Sequence, residues 1–264
     1  MTSRQTTQEL GDRVHRRFAA LAGAGGIANS CALSAMARWV LRRQPKRILE
    51  VGAGIGTTTA AITEAIDRSG ATDVAHVAVE RIPYCVEQLH ANLGARMDAV
   101  TLVNWPSEAP ESTMPFDLVV IDGLGPKSAT ERFGPERLEA ETVFCVQHLA
   151  PRAVVIVENR REAQRQTIEG AARPGWVSAH VQPWDGSPGY HLYLFDPTPA
   201  ERAQMALRRA WFAAWFPEGP RFARRAYRKV TGRRLERRSL AATGPDYSHD
   251  GGDAVEDPGT SGTD

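Results

Sequence analysis

Short apolar runs and helical-period segments alternate along most of this chain. Residues 5–22 and 29–43 carry the three-to-four-residue apolar spacing of helices. In the second, Leu33, Met36, Trp39, Val40 and Leu41 fall on one face, and Asn29-Ser30 supply capping side chains before it. Arg47–Val51 then reads as a buried strand, stopped by Gly52-Ala53-Gly54-Ile55-Gly56, with a helix expected over Thr57–Ile66. Further strands are expected at Val74–Val79, Ala99–Val103, Phe116–Ile121 and Ala153–Val157, and further helices over Ile82–Leu93 and Glu136–Leu149. Val177–Val181 and Tyr190–Phe195 flank Asp185-Gly-Ser-Pro-Gly189, the signature of a wide hairpin.

Strands that alternate with helices imply an α/β fold, a mostly parallel sheet with helices on both faces. The terminal hairpin is expected to add an antiparallel strand at one edge. In such a sheet, ligands bind outside the carboxyl ends of the strands. The chemistry is therefore sought in the residues that follow each strand.

Composition narrows the class. The chain has 264 residues, 42% hydrophobic and 24% charged, which is ordinary globular usage and excludes a wholly disordered, collagen-like or coiled-coil chain. The longest strongly apolar runs, such as Val154–Val157, are far below the roughly 18 residues of a spanning helix. Cys31, Cys85 and Cys145 are odd in number and widely spaced, against a disulfide framework or zinc knuckle and for a reducing compartment. Glu9 and Asp12 beside Arg16-Arg17 speak against a secretory leader, so a cytoplasmic location is expected.

The net charge of +1 hides segregation. Residues 201–239 carry +9 and residues 240–264 carry −6, which leaves −2 for residues 1–200. We therefore expect an N-terminal helical cap (1–45), a central domain (46–197), a basic aromatic extension (198–239) and an acidic, disordered tail (240–264). In the extension, Leu207, Trp211 and Trp215 form one helical stripe, with Met205, Phe212 and Phe216 beside it. Packing on the domain or on a second subunit is the expectation for 203–216. An anionic membrane surface suits 221–238 better, which would make the protein peripheral at a membrane. Nucleic acid is a weaker candidate partner.

The glycine turn has the spacing GxGxG, without the third glycine of the dinucleotide fingerprint and without the Lys of a phosphate loop. Thirty residues after Glu50, the next strand ends in Val79-Glu80-Arg81. A carboxylate there can accept hydrogen bonds from both hydroxyls of a ribose. It can equally serve as a helix N-terminal acid. Turn and acid together, on successive strands, point to a nucleoside site.

Ile48–Gly56, Val79-Glu80 and Phe116–Gly123 resemble the ordered motifs of the class I S-adenosylmethionine-dependent methyltransferases, over roughly residues 28–197. The resemblance implies a Rossmann-like seven-stranded sheet and S-adenosylmethionine (SAM) as cofactor. It implies that Glu50 and the turn (Gly52, Ala53, Gly54, Gly56, Thr57) hold the methionine end of the cofactor. Glu80, with Arg81, would hold the ribose, Asn104-Trp105 would lie near the adenine, and Asp122 would border the methyl donor. After the fourth strand, Asp122-Gly-Leu-Gly-Pro-Lys127 stands where base- and glutamine-methylating enzymes carry an Asn/Asp-Pro-Pro-Tyr/Phe box. Ile121-Asp122-Gly123 instead resembles the small-molecule O-methyltransferase branch, which implies a hydroxylated small molecule or a glycan as acceptor. Metal-dependent members of that branch join an acid after strand four to an Asp-Asn pair after strand five. Here the positions read Asp122 and Glu158-Asn159, a partial match for Mg2+. We prefer the reading in which Glu158 opens the next helix and Asn159 caps a loop. The candidate bases for an alcohol are Asp122, Lys127 and His191, with His148 ranked below them as a surface or core histidine. An RNA-directed methyltransferase and a non-catalytic SAM-binding module are the competing readings.

Overall fold

The structure is a computed structural model that describes residues 3–123, 128–159, 161–171, 175–181 and 189–215, with backbone alone at 3–5, 128–133 and 211–215. Among the described residues, seven α-helices and seven strands run in the order α1 (Ser3–Ala19), α2 (Ser30–Arg43), β1 (Arg47–Val51), α3 (Thr57–Ser69), β2 (Ala75–Val79), α4 (Pro83–Leu93), β3 (Val100–Val103), β4 (Phe116–Ile121), α5 (Ser128–Gln147), β5 (Leu149–Glu158), α6 (Glu162–Gly170), β6 (Val177–Val181), β7 (Tyr190–Leu194) and α7 (Pro199–Trp215). The strands form one sheet in the order β3-β2-β1-β4-β5-β7-β6. Five of them, β3 through β5, pair in parallel. β7 is antiparallel to both neighbours.

That corrects one expectation. The reversed strand lies one position in from the edge, because β7 returns between β5 and β6. Its apolar side chains are then covered on both sides, and Leu192 and Leu194 are almost wholly enclosed.

Alternate residues of each strand feed opposite faces. Ile48, Ala78, Val120 and Ile156 join Leu10, Phe18, Leu33, Trp39 and Ile62 of α1–α3 in one core. Leu49, Val77, Val119 and Val155 join Cys145 of α5, Ile168 of α6 and Phe195 in the other. Residues 1–45, expected as a cap, thus supply two helices that share the core with the sheet. Asn29 caps α2 by accepting a hydrogen bond from the Ala32 N–H at 2.9 Å. α5 is interrupted at Gly134 (φ 75°) and Pro135, since neither residue continues a helix there. α6 is the helix expected after strand five, but it opens at Glu162, and Glu158 is instead the last residue of β5.

On the last helix only Met205 and Leu207 of the expected apolar positions have described side chains, and they differ. Leu207 is 71% exposed, whereas Met205 is buried. Ionic contacts anchor the first turn of α7: Glu201 pairs with Arg43 at 2.8 Å and with Arg42 at 3.4 Å. Arg209 donates to the Ser178 carbonyl. The side chains of Trp211 and Trp215, and all of residues 216–264, lie outside the described residues. Among the described residues, no helix is long and apolar enough to cross a membrane. All three cysteines are free.

Candidate functional site

The carboxyl ends of β1, β2, β4 and β5 lie side by side, and the candidate residues follow them. The turn after β1 is held from below: the Gly52 and Ala53 N–H groups both donate to the Val79 carbonyl at 3.0 Å. Gly52 (φ 93°) is a packing glycine, since a Cβ there would come within 2.0 Å of Gly123 Cα. Gly54 (φ 55°) differs, because a Cβ there would meet nothing within 4 Å. The chain thus brings bare backbone to the edge of open space, as close approach by a ligand requires. Gly56 (φ 98°) forms the N-cap of α3. The next residue, Thr57, is 3% exposed, and its hydroxyl has no hydrogen-bond partner among the described residues. An orphaned buried hydroxyl at a helix N-terminus is a group awaiting a partner.

Glu80 follows β2 and closes the turn from the side. Its Oε2 accepts from the Gly54 N–H at 2.8 Å, and its Oε1 accepts from the Arg81 and Ile82 N–H groups at 2.8 and 2.9 Å. The carboxylate therefore both tethers the glycine turn and caps the entrance to α4. Three of its roughly four lone-pair directions are engaged by backbone. Glu50 lies deeper, fully buried, with Oε1 accepting from the Thr59 hydroxyl and Oε2 bonded to His76 Nε2, each at 3.0 Å. Both oxygens of the Glu50 carboxylate are thus engaged, one by α3 and one by β2.

Asn104 and Trp105 follow β3, and their N–H groups donate to Glu108 Oε2. The guanidinium carbons of Arg81 and Arg137 each lie 4.5 Å from the centroid of the Trp105 ring. This aromatic–cation cluster joins the Glu80 corner to α5, where Arg137 pairs with Glu141 and Glu141 holds Ser107.

After β4, the Asp122 and Gly123 N–H groups donate to the Val51 carbonyl at 3.0 and 2.7 Å, which seats Asp122 beside the turn. Its neighbour across the β4–β5 gap is Arg161, a residue the motifs did not single out. Arg161 Nε donates to the Asp122 carbonyl at 2.9 Å, and Nη2 donates to the same oxygen. Nη2 also lies 3.9 Å from Asp122 Oδ1, while Nε lies 3.8 Å from Glu158 Oε2. Asn159 turns elsewhere, its Oδ1 3.1 Å from His191 Nε2. The divalent-metal arrangement therefore does not fit: a guanidinium already stands between the two acids, and the third ligand faces a histidine. Among the described residues, no group of three or more His, Cys, Asp or Glu side chains converges as a metal site would.

Of the candidate bases, Lys127 lies outside the described residues. His148 precedes β5 and donates through Nδ1 to the Phe144 carbonyl, so it sits at the opposite end of the sheet. His191 is at the correct end, paired in register with Val157. It stacks on His180 with ring centroids 4.6 Å apart, and Arg165 Nη1 lies 3.1 Å from its Nε2. Burial, with the neighbouring His180 and Arg165, pushes its pKa down to about 3. A histidine held neutral this firmly is a poor proton acceptor near neutral pH. Asp122 is the candidate that the geometry leaves beside the turn.

No protein-family model matches the sequence, and no curated protein matches it. Solved structures do. The O-methyltransferase TomG from Streptomyces achromogenes, involved in tomaymycin synthesis and crystallised with SAM, superimposes with a TM-score of 0.51 at 19% identity, over 72% of this chain and 90% of its own. A proposed O-methyltransferase from Klebsiella pneumoniae gives 0.50 at 20% identity, over 72% and 90%. Cofactor-bound Rv0187 from MTB gives 0.50 at 18%, over 73% and 91%. The fold is a methyltransferase fold. Within it, the glycine turn, Glu80 and Asp122 stand at the carboxyl edge of the sheet, where open α/β folds bind their ligands.

Proposed function

We propose that the chain is a SAM-dependent methyltransferase that O-methylates a hydroxylated small molecule or a sugar. The observation that carries the reading is the turn itself. Gly54 opens onto free space with its N–H tethered by Glu80, and the buried Thr57 hydroxyl beside it lacks a partner. In support, the backbone at Gly54 leaves room for a ligand, since even an added Cβ there would meet nothing within 4 Å. The SAM-bound neighbour of the same fold supports this choice of ligand.

In this reading Glu80 takes the ribose hydroxyls on its remaining lone pair, or by exchanging one backbone donor. Thr57 and the first N–H groups of α3 meet the amino-acid end of the cofactor, while Trp105 and Arg81 border the base. When bound, SAM supplies a methyl carbon on a positively charged sulfur. The protein's main contribution is alignment, holding the acceptor oxygen in line with that carbon, and positioning alone supplies much of such a rate. Asp122 takes up the acceptor's proton.

Incubation of the protein with SAM and a library of phenols, alcohols and sugars, read by mass spectrometry, tests this. One acceptor class gaining the mass of a methyl group, with loss of that product in Asp122→Asn, is the expected result. Methyl transfer to RNA alone would replace the acceptor reading. SAM binding with no transfer to any acceptor would mark a binding module.

A further inference from the structure

The pair of acids after β4 and β5 raises a question of charge. The side chains of Asp122 and Glu158 are only 8% and 7% exposed, and burying carboxylates this deeply requires a compensating charge. Arg161 supplies one. Its side chain is 13% exposed, and the guanidinium is fixed by two donors on the Asp122 carbonyl, with Nη2 facing Asp122 Oδ1 and Nε facing Glu158 Oε2. The Arg161 N–H donates to the Glu158 carbonyl at 3.0 Å, so the backbone at this point is fixed as well.

We propose that Arg161 is the resident cation of the acceptor site and stands in the place that a divalent metal would need. The proposal rests on the methyltransferase reading for the meaning of "acceptor site". A cation beside the reacting oxygen stabilises the negative charge that develops as an alcohol loses its proton. A guanidinium does so with a charge that neither dissociates nor titrates near neutral pH. Mg2+ would demand near-ideal octahedral geometry from oxygen ligands. Here two of the expected ligands already face a guanidinium and the third, Asn159, lies against His191. Arg161 is a positioning residue for Asp122, holding its main chain and flanking its carboxylate.

Mn2+ uptake by the full-length chain, followed by loss of the free-ion signal in electron paramagnetic resonance, tests this without acceptor or cofactor. Wild type takes up no ion. Arg161→Gln keeps an amide donor for the Asp122 carbonyl but removes the charge, and it is expected to take up about one Mn2+ per chain on the acid pair left without its guanidinium. Arg161→Lys, which keeps the charge, takes up none, and adding Asp122→Asn to Arg161→Gln abolishes the gain. Thermal melts of each variant establish that it is folded. Stoichiometric Mn2+ uptake by wild type that Asp122→Asn removes would overturn the proposal. So would a folded Arg161→Gln that takes up none, which would make Arg161 only a latch between β4 and α6. Failure of the methyltransferase reading would register separately, as absence of S-adenosylhomocysteine binding to wild type.

Discussion

Valine at Gly54 separates binding from folding, because the two glycines of the turn are constrained by different things. At Gly54 the backbone is left-handed (φ 55°), but a Cβ meets nothing within 4 Å. The conformational cost is about 1–2 kcal/mol for an L-residue, at the upper end for a β-branched one. At 2–4 °C per kcal/mol for a domain of this size, the melting temperature should fall by roughly 2–8 °C with the transition still cooperative. The isopropyl group would then fill the space that a ligand needs. At Gly52 a Cβ would lie 2.0 Å from Gly123 Cα and 2.2 Å from Gly123 N, both backbone atoms that carry the β4 corner. Even alanine there must move the main chain, so Gly52→Ala should destabilise well beyond Gly54→Val. The assay is paired: thermal denaturation for the fold, and calorimetric titration with S-adenosylhomocysteine for the site. Gly54→Val should be folded and silent in calorimetry. A Gly54→Val protein that binds within about threefold of wild type, a difference under 1 kcal/mol, would refute the reasoning. So would a Gly52→Ala protein as stable as Gly54→Val.

Three further outcomes follow from neighbouring groups. Thr57→Val removes a buried hydroxyl without a partner, so the apo melting temperature should rise while the ligand-induced rise shrinks; an unchanged ligand-induced shift would separate Thr57 from the cofactor. Glu80→Gln should weaken S-adenosylhomocysteine binding by about 1.5–3 kcal/mol, the worth of hydrogen bonds to a charged group, or roughly ten- to a hundredfold; an unchanged dissociation constant would leave Glu80 as a turn tether and helix cap. His191 has a folded pKa of about 3, below the ordinary value near 6.5, so between these limits the unfolded chain binds the extra proton. Stability carried by neutral His191 is full above pH 6.5 and is lost as pH falls towards 3. Denaturant titrations across that window should show a shallower decline in His191→Gln than in wild type, and identical slopes would contradict the assignment.

The strands and the edge of the site were legible because they are local. Leu118–Ile121 and Val154–Val157 are buried on both faces, and continuous apolar runs announce that directly. The glycine turn and Glu80 were readable because order along the chain becomes adjacency in a parallel sheet. What escaped was decided by long-range partners. Leu207 belongs to a sound helical stripe, yet its side chain is exposed; α7 is anchored by the pairing of Glu201 with Arg42 and Arg43, residues about 160 positions earlier. The place of β7 between β5 and β6 depends on how the hairpin returns, which strand patterning does not encode. Glu50 was legible as a motif residue, but its enclosure between Thr59 and His76 was not. Arg161 carried one weak signal, a basic residue three positions after a strand-end acid. Its meaning depends on Asp122, which is 39 residues away.

The central claim is that the turn at Gly52–Gly56 is a nucleoside-cofactor site, and calorimetric titration of wild-type protein with S-adenosylhomocysteine tests it most directly. Saturable binding of one ligand per chain is expected, with the heat abolished in Gly54→Val and weakened in Glu80→Gln. A folded wild-type protein that gives no binding heat at any accessible ligand concentration and temperature, and no ligand-induced change in melting temperature, would contradict it.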